Sequence, residues 1–129
     1  MKLVTRDSDY AIRALIEIAR RRPGVVTAGE LVKSTGIPRP FLRKILQVLN
    51  KNGIVKSFKG RGGGFTAGSG ETAISDVMAA FQGRLSLLDC TFKKKACSRR
   101  GRCGLRKRLE KIESRVLKEL DAITISSLL

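Results

Sequence analysis

All three cysteines of the chain lie in one short, strongly basic segment, DCTFKKKACSRRGRCGLRKR, at residues 89–108. Cys90, Cys97 and Cys103 are separated by six and then five residues, and six basic residues but no acidic residue lie between the first and the last of them. A cysteine binds metals and reacts as its thiolate, a form that nearby positive charge favours. The spacing and charge of this segment therefore indicate metal or redox chemistry at sulfur.

The chain contains no histidine, which narrows the chemistry open to these cysteines. A catalytic cysteine would lack a histidine to take its proton, so an enzyme is not expected. A disulfide would leave one thiol over and is unusual in a reducing cytoplasm, and structural zinc would be one ligand short of its usual four. Three thiolates fit a 4Fe–4S or 2Fe–2S iron–sulfur cluster that takes one more ligand from elsewhere. A zinc-stabilised nucleic-acid-binding module and a metal-free thiol redox switch remain as alternatives.

The composition predicts a single domain with a polyanionic partner. The chain has 129 residues, enough for one hydrophobic core, and 27 Lys and Arg against 11 Asp and Glu give a formal net charge of +16. Nucleic acid is favoured over membrane, because no helix pairs a basic face with the aromatic apolar face of a membrane-surface helix. The amino terminus does not resemble a signal peptide, and no apolar run approaches membrane-spanning length. We therefore expect a cytoplasmic protein with no membrane partner.

Helical periodicity and capping signals predict a helix-turn-helix in the first half of the chain. Apolar residues at i, i+3, i+4 and i+7 predict a first helix over residues 9–21, capped by the Ser-Asp pair at its start. Thr27 and Glu30 have the spacing of a capping box, which opens a second helix that ends near Gly36. A third helix follows in IPRPFLRKILQVLNKNG, and its apolar stripe consists of Leu42, Ile45, Leu46 and Leu49.

A small β-hairpin is predicted directly after the third helix. Its two strands, at residues 54–58 and 64–67, are joined by a glycine-rich tip that carries basic residues. A helix-turn-helix followed by such a hairpin is a winged helix. With a short fourth helix at residues 73–83, the sequence predicts a mainly α fold with a small β-wing, whose DNA-binding domain occupies residues 1–83.

The remainder of the chain is predicted to hold the cysteines and a helix for dimerisation. Residues 84–104 have little apolar content and are interpreted as an irregular, cluster-binding loop. A long helix and a short tail over residues 105–129 form the dimerisation element, because apolar residues recur at spacings of three and four among charges. The alternative is that this stripe packs on the first helix of the same chain. The stripe consists of Leu109, Ile112, Val116 and Leu120.

The residues predicted to contact DNA lie on the third helix and on the wing. In a helix-turn-helix the N-terminal residues of the recognition helix reach base edges in the major groove. Arginine and lysine can bind guanine O6 and N7, and phenylalanine can pack on a thymine methyl group. Basic residues of the wing would reach the backbone or the adjacent minor groove. We expect a homodimer to contact double-stranded promoter DNA through Arg39, Phe41, Arg43, Lys44, Lys59 and Arg61.

The order of these motifs over essentially the whole chain resembles the Rrf-type family of winged-helix transcriptional regulators. The resemblance is carried by DYAIRALIEIA, IPRPFLRKILQVLNKNGIV, KGRGGGF, the three cysteines at their spacing, and the closing LDAITISSLL. It implies a homodimeric transcription factor whose cluster state changes its affinity for promoter DNA, and we expect this factor to act as a repressor. Cys90, Cys97 and Cys103 match the cluster cysteines of the family.

Two positions bear on the type of cluster site that the resemblance implies. IscR-like members carry a histidine three residues after the third cysteine, and Arg106 occupies that position here. NsrR-like members use an acid at the start of the first helix of the other subunit, which Asp9 matches. The resemblance thus implies Asp9 of the partner subunit as fourth ligand and nitric oxide as the signal, with redox state or iron and cluster supply as other signals in the family. Asp7 and Asp89 are rival acids, and Asp9 could instead only stabilise the helix dipole.

Overall fold

The computed structural model describes residues 2–68, 71–89, 91–92 and 95–129. The helices within these ranges are α1 (Arg6–Arg20), α2 (Ala28–Thr35), α3 (Arg39–Lys51), α4 (Ile74–Gln82) and α5 (Gly104–Ala122). The strands are β1 (Val55–Phe58), β2 (Gly64–Ala67), β3 (Thr91–Phe92) and β4 (Lys95–Ala96), and single 3-10 turns lie at Arg100–Arg102 and Ser126–Leu128. The prediction of a mainly α fold with a small β-wing is confirmed. No helix in the described ranges is long and apolar enough to span a bilayer.

Helix α1 begins at Arg6, three residues before its predicted start. Thr5 is the N-cap, and its Oγ1 accepts the backbone N–H of Ser8 at 3.4 Å. Ser8, which was predicted to belong to the cap, lies in the first turn and is completely buried. Threonine and serine are both favoured at the N-cap, so the sequence does not show which of Thr5 and Ser8 is the cap. The burial of Ser8 decides in favour of Thr5. Asp9 still falls in the first turn of α1.

Helices α2 and α3 form the predicted helix-turn-helix. The capping box of α2 is present, since Thr27 Oγ1 accepts the N–H of Glu30 at 3.1 Å and Glu30 Oε2 accepts the N–H of Thr27 at 3.0 Å. Gly36 ends α2 at a φ of 72°, a left-handed conformation that glycine adopts without steric cost. The predicted stripe of α3 is buried in the core and leaves the opposite face of the helix to solvent; it comprises Leu42, Ile45, Leu46 and Leu49.

Strands β1 and β2 pair antiparallel to form the predicted wing, with Phe58 opposite Gly64. The extended segment before α2 joins this sheet, because Val26 donates to the Phe65 carbonyl at 2.9 Å and accepts the Phe65 N–H at 2.7 Å. Gly64 is required at this contact, since a Cβ there would lie 2.6 Å from the Val26 carbonyl oxygen. The bridge therefore fixes the position of the wing relative to the helix-turn-helix.

One hydrophobic core joins the first four helices, the wing and the residues after α5. The Ile74 N–H donates to the Ile123 carbonyl at 2.8 Å, and the Ile125 N–H donates to the Thr72 carbonyl at 3.0 Å. These bonds place the C-terminal residues beside the start of α4. The largest buried side chains of the core are Leu15, Ile18, Val26, Leu31, Ile37, Leu42, Leu46, Leu49, Val55, Val77 and Ile125.

Helix α5 enters the core only at its C-terminal end, where it packs against α4. Leu120 is buried, Val116 packs against the core, and the Ser75 hydroxyl of α4 donates to the Asp121 carboxylate. At the start of the helix 60% of Leu105 remains exposed, and in its middle 48% of Ile112 does. Within one chain, Ile112 of the predicted stripe is therefore exposed and Leu109 is half-buried, and the dimerisation role of this helix stays a prediction.

The cysteine segment contains regular structure that the sequence did not predict. β3 and β4 pair antiparallel as a very short hairpin, and a 3-10 turn at Arg100–Arg102 leads into α5. The prediction of an irregular connection was therefore wrong in this part. Strands of two residues have no periodicity that a sequence pattern could reveal.

Candidate functional site

The solvent-facing side of α3 carries the four residues predicted to reach DNA bases. Arg39, Phe41, Arg43 and Lys44 are all exposed, because the buried stripe of the helix faces the other way. Phe41 keeps 45% of its surface accessible and is available to pack on a thymine methyl group. The geometry of α3 thus matches that of a recognition helix.

Gln47 extends this face and was missed by the sequence analysis. It is exposed and follows Arg43 by one helical turn, so the two side chains are neighbours on α3. Glutamine can bind adenine N6 and N7 bidentately. The i+4 spacing from Arg43 was a signal that could have identified it.

The wing presents basic and aromatic side chains at its tip. Lys59 and Arg61 are exposed in the turn between β1 and β2, as predicted from the sequence. The turn is tight, since a Cβ at Gly63 would lie 2.3 Å from the Phe58 carbonyl oxygen. Phe58 and Lys56, which the sequence analysis did not single out, are also exposed on β1. The wing surface is therefore larger than its two predicted cations.

None of the five cations predicted to contact DNA forms an ion pair with another described residue. The ion pairs found in the described ranges lie within α1, between the end of α1 and α2, and within α5. Lysines and arginines that are not neutralised by neighbouring acids can bind phosphates and release counterions from DNA. The electrostatics of α3 and the wing therefore suit a polyanion.

Cys103 occupies the N-cap of α5. Its Sγ accepts the backbone N–H of Arg106 at 3.4 Å, and the side chain is half-buried. The N terminus of a helix favours negative charge, because its first N–H groups and the helix dipole point toward the cap. Cys97 is exposed, and neither of these two cysteines forms a disulfide. Cys90 lies outside the described residues.

Arg106 supplies a backbone donor to this site, while its side chain turns along the helix. Its Nη2 lies 2.7 Å from Glu110 Oε1, one turn further along α5. The position where a histidine would stand in IscR-like members thus contributes an amide to the Cys103 sulfur. A guanidinium is a donor without lone pairs for a metal.

The predicted cluster-binding loop of residues 84–104 also contacts α5 ahead of its cysteines. The Leu87 N–H donates to Glu113 Oε1 at 3.1 Å. Glu113 follows Cys103 by ten residues along the same helix. Leu87 and Cys103, at the two ends of the segment that contains the other cysteines, therefore both contact α5.

Asp9, the acid predicted as fourth ligand, lies in an open cleft at the start of α1. Its Oδ2 forms an ion pair of 2.9 Å with Arg13 Nη2, and both side chains are exposed to solvent. Asp7 and Asp89, the rival acids, are exposed as well. Within the described part of the chain, no three His, Cys, Asp or Glu side chains converge to hold a metal ion. The cleft is lined by Lys2, Val4, Thr5, Arg6, Asp9, Tyr10 and Arg13.

A winged helix with a basic recognition helix and wing defines a DNA-binding protein of the helix-turn-helix class. The chain belongs to the Rrf2 family, described as iron-dependent transcriptional regulators, whose family model matches residues 4–129. Proteins of this family are transcriptional regulators that bind DNA and act as dimers, and they are not enzymes. The family resemblance of the sequence is therefore confirmed.

Similar proteins agree with this assignment. Over 138 residues the chain is 28% identical to an rrf2-like, HTH-type transcriptional regulator of Rhodobacter capsulatus, which covers 98% of this chain and 92% of that protein. CymR (YrzC), the global cysteine regulator of B. subtilis, superposes with a TM-score of 0.78 at 21% identity, over 99% of this chain and 96% of that chain. IscR of T. potens superposes with a TM-score of 0.74 at 22% identity, over 99% and 85% of the two chains. These two structures establish the shared fold.

Proposed function

We propose that the chain is a homodimeric repressor whose affinity for promoter DNA is controlled by an iron–sulfur cluster. The proposed ligands are Cys90, Cys97 and Cys103 of one subunit and Asp9 of the partner subunit. The proposed signal is nitric oxide, with redox state and iron or cluster supply as the alternatives. The proposed DNA contacts are Arg39, Phe41, Arg43, Lys44, Lys59 and Arg61.

The cations of α3 and the wing support the DNA contacts, because they are exposed and form no ion pair within the described part of the chain. Val26 bonds the wing to the helix-turn-helix, so the two basic surfaces keep a constant separation. A dimer would then present two such heads, whose operator is an inverted repeat with half-site centres about one helical turn, roughly 34 to 36 Å, or a multiple of it apart. Each phosphate contact adds to the salt dependence of binding.

The position of Cys103 at the N terminus of α5 carries the proposal of a thiolate-ligated cluster. The Cys103 sulfur accepts the first-turn N–H of Arg106 at 3.4 Å, and a helix N terminus is a common binding site for anionic groups. Thiolates are the usual ligands of iron–sulfur clusters, and the basic composition of the segment offsets the negative charge that such a site accumulates. The donor set of three cysteines without histidine suits iron better than zinc, which would need a fourth N or S ligand.

A bound cluster would supply iron that reacts with nitric oxide or oxygen. Loss of the cluster would then change the affinity of the dimer for promoter DNA. Leu87 and Cys103 attach the cysteine segment to α5 at both ends, and α5 also carries the apolar stripe proposed for dimerisation. Release of the cysteines is expected to loosen this segment and to shift how the two α5 helices hold the α3 helices apart.

Asp9 suits the role of the labile fourth ligand. A carboxylate is a poorer partner for iron than a thiolate, so its position would be the first to open to a small molecule. The cleft around Asp9 is open to solvent, and its partner Arg13 is exposed, which permits approach of a second subunit.

Anaerobic reconstitution with iron and sulfide tests the proposal. We expect a chain that binds iron and sulfide, absorbs in the visible range, and binds an inverted-repeat operator with an affinity that differs between holoprotein and apoprotein at matched salt. Footprinting on the isolated operator should show two protected half-sites. Their centres should lie about one helical turn, or a multiple of it, apart.

The same preparation separates the two alternatives. A purified protein that retains zinc and takes up no iron would favour a zinc-stabilised nucleic-acid-binding module. A metal-free protein whose operator affinity responds to thiol oxidation would favour a redox switch. Equal operator affinity of holoprotein and apoprotein would contradict a sensing role for the cluster.

A further inference from the structure

Gln82, the last residue of α4, uses both ends of its amide to hold the start of α1. Its Oε1 accepts the Ser8 hydroxyl at 2.7 Å and the Thr5 N–H at 3.2 Å, and its Nε2 donates to the Leu3 carbonyl at 2.8 Å. The Thr5 hydroxyl also lies 3.2 Å from the same Oε1. A side-chain amide is the group that can accept and donate in this way, so the residue type matches its surroundings atom by atom.

These bonds anchor the N-cap and the first turn of α1. Thr5 is the N-cap of the helix, and Ser8 is completely buried within its first turn. Without Gln82, the Ser8 hydroxyl would lose its shortest hydrogen bond in a buried position, where an unsatisfied polar group is costly. Segments that are more than 70 residues apart in sequence are thus held together by one side chain.

Gln82 lies between two elements of the proposed cluster sites of the dimer, because the Asp9 of each chain would reach the cysteines of the partner subunit. Asp9 directly follows the anchored Ser8, and Gly83 directly follows Gln82 at a φ of 78°, where α4 ends and the predicted cluster-binding loop of residues 84–104 begins. We infer that Gln82 is a positioning residue that fixes the first turn of α1, and with it Asp9, against the root of the cysteine segment. This inference rests on the proposed function, because it concerns the orientation of a proposed ligand.

Hydrogen exchange of the full-length apoprotein tests the positioning without any cluster. Gln82→Met keeps a side chain of similar length and removes all of these hydrogen bonds. We expect the amides of Thr5, Ser8 and Asp9, which donate to Gln82 or to the anchored Thr5, to exchange about tenfold faster, which corresponds to about 1.4 kcal/mol. The control is Ser75→Ala, which removes the bond from α4 to Asp121 of α5 and does not touch α1. Its first-turn amides should exchange as in the wild type.

Reactivity of the reconstituted holoprotein tests the link to the cluster. In Gln82→Met we expect faster loss of the visible absorption on reaction with nitric oxide, while Ser75→Ala should match the wild type. Gln82→Glu keeps the acceptor oxygens but loses the donor to the Leu3 carbonyl, and its exchange and reactivity should lie between those of the wild type and Gln82→Met. If Gln82→Met does not fold, Gln82→Glu alone provides the comparison with the wild type.

Adding Ser8→Ala to Gln82→Met separates positioning from simple satisfaction of a buried hydroxyl. We expect the double variant to regain thermal stability but to keep the fast exchange and the altered reactivity. Recovery of both the exchange rate and the reactivity to wild-type values in the double variant would overturn the inference. Wild-type exchange and reactivity in Gln82→Met and Gln82→Glu would also overturn it. A wild-type protein that takes up no cluster would instead contradict the proposed function, and the exchange of its apoprotein would still decide whether Gln82 holds the first turn.

Discussion

Asp9 and Arg13 form an ion pair across one turn of α1, with 2.9 Å between Oδ2 and Nη2. The side chains remain exposed by 44% and 57%, respectively. An exposed pair of this kind contributes between zero and about 1 kcal/mol to stability. Asp9 can therefore exchange Arg13 for another partner at small cost, which makes the carboxylate available as a ligand.

Replacement of Asp9 by alanine should alter the cluster without unfolding the protein. Asp9→Ala removes the proposed oxygen ligand, so we expect a shifted visible spectrum and a changed rate of reaction with nitric oxide. The melting temperature and the dimeric state should stay close to those of the wild type. Arg13→Ala is the matched control, because it breaks the same ion pair and keeps the carboxylate; its spectrum should resemble the wild type. If both variants behave alike, Asp9 acts only through the helix.

Replacement of Arg43 and of Lys59 should affect DNA binding in different ways. Arg43 lies on the outer face of α3, and Arg43→Ala should cost about 1 to 3 kcal/mol on the preferred operator and relax base preference at one position in each half-site. Lys59 lies at the wing tip, and Lys59→Ala should weaken binding evenly and lower the salt slope by about 1 per site. Binding to a library of operator variants at several salt concentrations measures both. Equal, small losses on all sequences would argue against recognition through α3.

Replacement of Cys103 should separate its capping role from its ligand role. Serine is a favoured N-cap, so Cys103→Ser should keep α5 stable while cluster uptake is lost, whereas Cys103→Ala should lose the cluster and about 1 kcal/mol of stability. Iron content and thermal unfolding of the apoproteins provide the two measurements. Wild-type iron content in Cys103→Ser would remove this cysteine from the ligand set.

Replacement of Ile112 should weaken the dimer while leaving the subunit folded. Ile112 is 48% exposed in one chain, so Ile112→Glu removes little intramolecular packing but places a charge in the proposed interface between α5 helices. Lys111→Glu introduces the same residue at the adjacent exposed position and is the control. Sedimentation equilibrium should show dissociation for the first variant alone. A stable dimer in both would move the interface away from this stripe.

Patterns within single elements were sufficient to predict most of the fold. The capping box of Thr27 and Glu30, the left-handed Gly36 and the buried stripe of α3 depend on residues a few positions apart, where local geometry dictates the contact. The wing was predictable for the same reason, since alternation and glycines mark a hairpin. The start of α1 was not predictable, because threonine and serine are both favoured N-cap residues and either Thr5 or Ser8 could begin the helix.

Contacts between distant segments were decided only by the tertiary structure. The sequence determined which residues could act: three thiols without histidine, an exposed basic helix and an acid in the first turn of α1. Packing decided that Glu113 binds Leu87, 26 positions away, and that Gln82 binds residues more than 70 positions away. Hydrogen bonds of this kind depend on where elements meet after burial of the core, and no local periodicity encodes that meeting.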